Sequence, residues 1–342
     1  MTERVSFKYA ASGLSNEHLG LILMPTEQCN FRCTYCYEDF LLGRMSKEVI
    51  QGIKHLLSER MPELTSLSVE WFGGEPLAAK EIIYELGEYI QQLLYQNPGI
   101  QYGGSITTNG FNLRLATFRK LLALGINSFQ ISLDGPKEFH DRSRLRIDGS
   151  GSFDVIWENL LALHHTTDAF KVVLRVHITP ENEHSIEFLL EDINDSFGDD
   201  ERFEIFLKPI ENLGGPQSGK FSILKGEKKR EALEKLNQLV QKRRNSKKLE
   251  CEDQPYICYA AKMNHWVIRP NGVLAKCTVA FSDERNAIGR ILSDGKIEVD
   301  TAKLELWVRG IRSLERKALY CPMQGLPILS SEKKVIPIAA VN

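Results

Sequence analysis

Three cysteines within eight residues, in Cys29-Asn30-Phe31-Arg32-Cys33-Thr34-Tyr35-Cys36, constrain this chain more than any other stretch. They follow the apolar run Leu21-Ile22-Leu23-Met24, which has the length and flanks of a buried strand. The thiols therefore gather on a loop at that strand's C-terminal end, where parallel α/β sheets and barrels build their ligand sites. A cubane iron–sulfur cluster takes four thiolates, so a loop offering three leaves one iron open to an outside ligand. A zinc knot or a disulfide pair is the alternative use of such thiols, although structural zinc sites favour paired Cys-x2-Cys elements.

The rest of the first two thirds alternates between strand and helix patterns. Ser46 is placed to cap a helix to about Ser58, with Val49, Ile50, Ile53, Leu56 and Leu57 at helical spacing. Strands are expected at Leu67–Phe72, ending at Ser105–Thr107, at Ser128–Leu133, Val172–Ile178 and Phe203–Leu207, with helices near Ala79–Gln92, Leu113–Leu124, Phe153–His164 and Ile186–Ile193. Six such repeats with short connections predict a parallel sheet wound by right-handed crossovers, and every unusual loop then meets on one rim.

The seven cysteines divide into Cys29, Cys33 and Cys36 near the start and Cys251, Cys258, Cys277 and Cys321 near the end. No apolar run approaches the ~20 residues that span a bilayer, and Met1-Thr2-Glu3-Arg4-Val5 opens no signal peptide. A cytoplasmic protein is expected, in which two metal clusters, one open and one closed, use every thiol better than disulfides would. A net charge of -2 gives no bulk attraction to nucleic acid or anionic membrane. The basic stretch Glu227–Arg244 carries an apolar stripe of Leu233, Leu236, Leu239 and Val240 but no interleaved aromatics, so it reads as a helix with a solvated face.

On the expected rim, Gly73-Gly74-Glu75-Pro76 supplies two residues without side chains where the backbone must approach something closely, then a carboxylate. Ser132-Leu133-Asp134-Gly135-Pro136 and His140-Asp141-Arg142-Ser143-Arg144 follow the fourth strand. With the cysteine spacing, these motifs resemble the radical S-adenosylmethionine (SAM) superfamily, in its peptide-modifying SPASM/twitch branch. That resemblance implies a partial (β/α)6 barrel in which Cys29, Cys33 and Cys36 hold a 4Fe–4S cluster whose free iron chelates SAM. Reductive cleavage then gives a 5'-deoxyadenosyl radical that abstracts a substrate hydrogen. It further implies that Tyr35 lies beside the adenine, that Gly73, Gly74 and Glu75 contact the methionyl amino group, and that Ser132 and Arg144 hold SAM's ribose and carboxylate. A planar guanidinium suits a carboxylate because it donates two parallel hydrogen bonds. Thr108-Asn109-Gly110 is similar to a cavity-facing loop of the family or is a plain turn. His177 reads as a satisfied core histidine, and Arg175 and Asn182 have no assigned role.

Pro270-Asn271-Gly272 reads as a hairpin turn between Trp266-Val267-Ile268 and Val273-Leu274-Ala275 that draws Cys258 toward Cys277. The passage from Ile268 to Thr278 resembles the auxiliary-cluster region of SPASM and twitch proteins, which implies an auxiliary 4Fe–4S cluster on Cys251, Cys258, Cys277 and Cys321. Four thiolates suit zinc as well. Only Cys321, followed by Pro322-Met323-Gln324, stands where a full SPASM region is dense in cysteine, so the shortened form is expected; without Cys251 the cluster keeps an open iron.

The organisation expected is an arm over 1–18, a barrel over 19–225, a basic linker helix over 226–250, an auxiliary region over 251–325 and a tail over 326–342. The resemblance implies a maturase that crosslinks a ribosomally made precursor peptide through a C–C or thioether bond, with the auxiliary cluster accepting the electron left on the product. Formylglycine formation on sulfatases is the alternative enzyme, and a non-catalytic iron–sulfur or zinc sensor the alternative of another class. Epimerisation is disfavoured, since it needs a spare thiol and every cysteine is assigned to metal. A flavodoxin or ferredoxin is the implied electron donor. Cys29 starts too early for a fused leader-binding domain, so the precursor is expected to be recognised by the barrel mouth, the auxiliary region or a separate leader-peptide-binding protein; nucleic acid and membrane are not expected partners.

Overall fold

Each run of branched apolar residues in the first two thirds gives way to an amphipathic helix, and the computed structural model, which describes residues 4–244, 256–328 and 335–338, turns that alternation into parallel strands. After a short helix α1 (Phe7–Ala11), the order is β1 (His18–Leu23), α2 (Lys47–Arg60), β2 (Ser66–Trp71), α3 (Lys80–Gln96), β3 (Gln101–Thr108), α4 (Leu115–Ala123), β4 (Ile126–Leu133), α5 (Lys137–Ser143), α6 (Phe153–His164), β5 (Lys171–Ile178), α7 (Ile186–Phe197) and β6 (Phe203–Pro209). Ser46 caps α2 by accepting from the Val49 amide, and Val49, Ile50, Ile53, Leu56 and Leu57 form its buried stripe. All the expected strands and helices of this half are present. Helix α5 is additional; it is short and lacks an apolar period.

Strands β1 to β6 lie side by side in sequence order, all parallel. A doubly wound sheet would reverse that order at a switch point; an unreversed order puts every crossover helix on one face, as a barrel requires. Strand β6 ends the sheet without returning to β1, so the barrel is incomplete.

The C-terminal part follows as α8 (Gly226–Arg244), β7 (His265–Ile268), β8 (Val273–Ala275), β9 (Gly289–Ile291), β10 (Ile297–Asp300), α9 (Thr301–Ser313), α10 (Arg316–Tyr320) and β11 (Val335–Ile338). The expected hairpin forms, with Gly272 at φ 80° in its turn. Its first strand β7 pairs in parallel with β1, Gly20 opposite His265 and Leu23 opposite Ile268, so among the described residues one sheet of eleven strands runs through both parts. Gly20 must lack a side chain, because a Cβ there would lie 2.1 Å from the His265 ring. The apolar tail segment Val335–Ile338 pairs with β10 as the outermost strand, an edge where Pro337 removes no ladder bond from a central position. Among the described residues no helix is long and apolar enough to cross a membrane.

The seam between the parts is charged as well as hydrogen-bonded. Glu27, fully buried just before the cysteine loop, accepts from Arg269 of the hairpin in a two-pronged pair, 2.7 Å to Nε and 3.0 Å to Nη2. Arg269→Met leaves that carboxylate buried without its partner and is expected to cost about 3 kcal/mol in urea unfolding, with much of the loss recovered in the Glu27→Gln, Arg269→Met double variant. A loss below ~1 kcal/mol would show that the seam does not need the pair.

Acid acts on the fold through a different group. His140 of α5 is fully buried; the Asp134 amide donates to its Nδ1 (3.4 Å) and its Nε2 bonds the Ser152 hydroxyl (3.1 Å). Burial pushes its pKa down to about 4. The folded value lies below the unfolded one of about 6.5, so this contribution is complete above pH ~6.5 and drains away as pH falls toward 4, worth about 3 kcal/mol. Thermal midpoints followed over that range should fall, and His140→Gln should flatten the slope by about one proton. An unchanged slope would mean that His140 is not held neutral.

Candidate active site

The cysteine loop has neither helix nor strand, so its shape comes from neighbours. On one side lies the turn after β2: the Gly74 amide donates to Thr26 O (3.3 Å) and the Glu75 amide to Gln28 O (3.0 Å). A Cβ on Gly73 would stand 2.2 Å from Thr26 O, and one on Gly74 2.3 Å from Glu27 O. The two glycines therefore serve first to let the turn lie against the backbone leading into Cys29. On the other side the end of α5 and the segment after it accept from the loop, Arg32 N to Leu145 O (2.7 Å) and Thr34 N to Ser143 O (2.9 Å).

Held this way, Cys29, Cys33 and Cys36 line one cavity of about 1110 Å³ counting its open mouth, at the C-terminal ends of the barrel strands. Tyr35, Gly73, Gly74, Ser132 and Arg144 line it too. Burial pushes all three thiols up, Cys36 to about 12. A metal that takes them as thiolates would remove that cost.

Glu75 is not in the cavity wall. Its carboxylate is fully enclosed and accepts from the Leu77 amide (2.9 Å), the Thr108 hydroxyl (2.7 Å) and the Asn109 amide (2.7 Å). It ties the loop after β3 to the turn after β2. Thr108 and Asn109 line the cavity, and Asn109 Nδ2 reaches Asn30 Oδ1 (2.8 Å) beside Cys29, so this stretch is more than a plain turn.

Asp134 is the second buried carboxylate of the rim. It accepts from the Tyr35 hydroxyl (2.7 Å to Oδ2), from Ser143 Oγ (2.6 Å) and stands 3.1 Å from His177 Nδ1 and 3.8 Å from Arg144 Nη1. Burial works against its charge, but the bond to His177 and the Arg144 guanidinium hold it well below the usual carboxylate range. Arg144 also donates to the Tyr35 hydroxyl (2.8 Å). It is buried within this network, far from the exposed setting of a surface ion pair. His177 is satisfied, as a core histidine would be, but it faces the cavity; burial lowers its pKa to about 4. Asn182 spans behind it, donating to Asp134 O (2.7 Å) and His177 O (3.0 Å).

Residues that sequence reasoning left without a role complete the wall: Arg175, Glu38, Lys208 and Glu211. Period two on the strands would have found one of them, since Arg175 and His177 share a face of β5 and Arg175 stands opposite Ser132 of β4. Three polar atoms of this wall are buried with no partner, Glu38 Oε1, Arg144 Nε and Arg175 Nε. Three desolvated thiols, unpartnered donors and an unpartnered acceptor in one cavity fit a cluster with a polar, charged co-ligand.

Cys258, Cys277 and Cys321 lie in the C-terminal part, where burial first, and then the charges of Cys258 and Cys321, push Cys277 up to about 11. Asn286 fixes the Cys277 backbone by accepting from its amide (2.9 Å) and donating to its carbonyl (2.8 Å). Thr278, the next residue, lines the cavity, so Cys277 adjoins its wall. Cys251 lies outside the described residues. Among those described, no three His, Cys, Asp or Glu side chains converge closely enough to enclose a single metal ion.

Comparison with known proteins agrees with this geometry. GTP 3',8-cyclase of Haemophilus influenzae (strain PittEE) is 32% identical over 146 residues, 41% of this chain and 39% of its own length. The cysteine-type anaerobic sulfatase-maturating enzyme of Clostridium novyi (strain NT) is 30% identical over 174 residues, 46% and 44% of the two chains. The chain thus matches about two fifths of the length of these curated relatives. Among solved structures, native anSMEcpe with bound AdoMet and Cp18Cys peptide superposes with a TM-score of 0.61 at 18% identity, over 90% of this chain and 82% of that one. Streptococcus suis SuiB bound to precursor peptide SuiA gives 0.57 at 16% identity, over 90% and 69%. At such identities the likeness is one of fold. The Radical SAM superfamily pattern itself matches residues 23–193, half of the chain, and this protein belongs to that superfamily, whose members use a 4Fe–4S cluster and S-adenosylmethionine.

Proposed function

We propose that this radical SAM enzyme modifies a peptide, acting on a side chain or Cα of a ribosomally made precursor to install a crosslink. When bound, the cluster and SAM supply a 5'-deoxyadenosyl radical able to take a hydrogen atom from an unactivated carbon. The observation that carries the peptide reading is the cavity's construction: residues of the barrel rim and Thr278 and Val279, beside Cys277, line one and the same space. A chain threaded through it would pass both thiol groups. Likeness of fold to two proteins solved with peptides, over 90% of this chain, supports the same reading.

In this reading Cys29, Cys33 and Cys36 hold the SAM-binding cluster, and Gly73 and Gly74 offer backbone groups to the methionyl amine. Glu75 acts by bracing the turn that presents them. Arg144 and Ser132 take SAM's carboxylate and ribose, with Asp134 holding Arg144 and Tyr35 in place. Cys258, Cys277 and Cys321, with Cys251, would hold an auxiliary cluster, which would supply an acceptor for the electron a crosslink must lose after one hydrogen abstraction. A flavodoxin or ferredoxin supplies the first electron.

Anaerobically reconstituted protein given SAM and dithionite is expected to form 5'-deoxyadenosine, and Cys33→Ala to form none. No product from fully loaded wild type would favour a sensor. Co-expression with short peptides encoded beside it should yield a product lighter by two hydrogens; conversion of a Cys-x-Pro-x-Arg peptide to an aldehyde instead would make sulfatase maturation the function.

A further inference from the structure

Arg175 sits on β5 opposite Ser132 of β4 and two residues before His177, so it enters the cavity from the same strand face as His177. Among the described residues its guanidinium makes no ion pair and no hydrogen bond, and its Nε is buried without a partner. Burial pulls its pKa down, as befits a cation with no counterion.

The acids around it are engaged elsewhere. Glu211 at the mouth is held by Lys208 (2.7 Å) and Lys229 (2.8 Å). Glu70 accepts from Thr107 (3.2 Å), and Asp134 serves Tyr35, Ser143 and Arg144. Glu38 lines the same cavity yet makes no ion pair with it. A largely buried guanidinium with unused donors destabilises a fold unless a ligand completes it. Its planar fork matches a carboxylate. SAM brings one carboxylate, but Arg144 already stands for that in the reading above.

We propose that Arg175 determines specificity by binding the side-chain carboxylate of an acidic residue in the substrate, beside the SAM site in the same cavity. The ligand's being a peptide rests on the proposed function; its being a carboxylate rests on Arg175 alone.

The test is calorimetric titration of the anaerobically reconstituted enzyme, SAM present, with a blocked pentaglycine carrying a central aspartate, the same peptide with asparagine, and glutarate. Aspartate is expected to bind at least tenfold tighter than asparagine, a preference that Arg175→Met abolishes while its thermal midpoint rises. Arg175→Lys keeps the charge but not the fork, so it should retain only part of the preference; it serves should the methionine variant not fold. Glutarate that binds wild type through Arg175, with no peptide preference, would uphold the carboxylate site and sink the peptide reading. Three results would overturn the proposal: no discrimination by charge in any probe, a preference that survives in Arg175→Met with a lowered midpoint, or a loss of SAM affinity exceeding the loss for the aspartate peptide.

Discussion

A loop that carries ligands but has no secondary structure keeps its shape only if its backbone groups are hydrogen-bonded elsewhere, and in this protein the elsewhere is two other stretches of the rim. The turn after β2 donates its Gly74 and Glu75 amides to Thr26 and Gln28, and the end of α5 and the segment after it accept from Arg32 and Thr34. Those neighbours are in turn fixed by buried carboxylates. Glu75 joins the turn after β2 to the loop after β3, and Asp134 joins the loop after β4 to Tyr35 inside the cysteine motif. The arrangement is cooperative in a physical sense, because a buried carboxylate loses its reason to be ionised as soon as its donors move. The position of the thiols is thus a property of the whole rim.

The same logic explains why charges inside the cavity are distributed unevenly. Asp134 and Arg144 neutralise each other across the Tyr35 hydroxyl, and Lys208 and Glu211 do so at the mouth. His177 stays neutral because burial outweighs the pull of Asp134. What is left over, unpartnered atoms on Arg144, Arg175 and Glu38, is what a fold that had only to be stable would have removed.

Much of this rim was legible in the chain because its chemistry is local in sequence. Cysteine spacing, Gly73-Gly74 and the strand-to-helix alternation depend on neighbours within a few residues, and all of them lie where period and turn chemistry put them. What was not legible is set by distant partners. Nothing around His177 says that its ring meets Asp134, 43 positions earlier. Glu75 reads as a ligand because its turn faces the rim, yet two of the three donors that enclose it belong to residues 108 and 109, which only the β2–β3 pairing brings near. Helix α5 escaped because a seven-residue helix stabilised by a buried histidine leaves no amphipathic period to read.

The pairing of β7 with β1 has the widest consequence of these distant contacts. It places the hairpin beside the strand that delivers the cysteine loop, and the Glu27 to Arg269 pair then locks loop to hairpin. Next to Cys277, Lys276 is fully buried with its amine on Lys262 O (2.5 Å) and His265 O (2.6 Å) and over the Trp266 ring. Its side chain therefore crosses the hairpin to strand β7, and β7 is hydrogen-bonded to β1. Two thiol groups far apart in sequence are in this way referred to a single strand pair. Their relative placement is thus set by the β7–β1 pairing together with the rim loops that carry them.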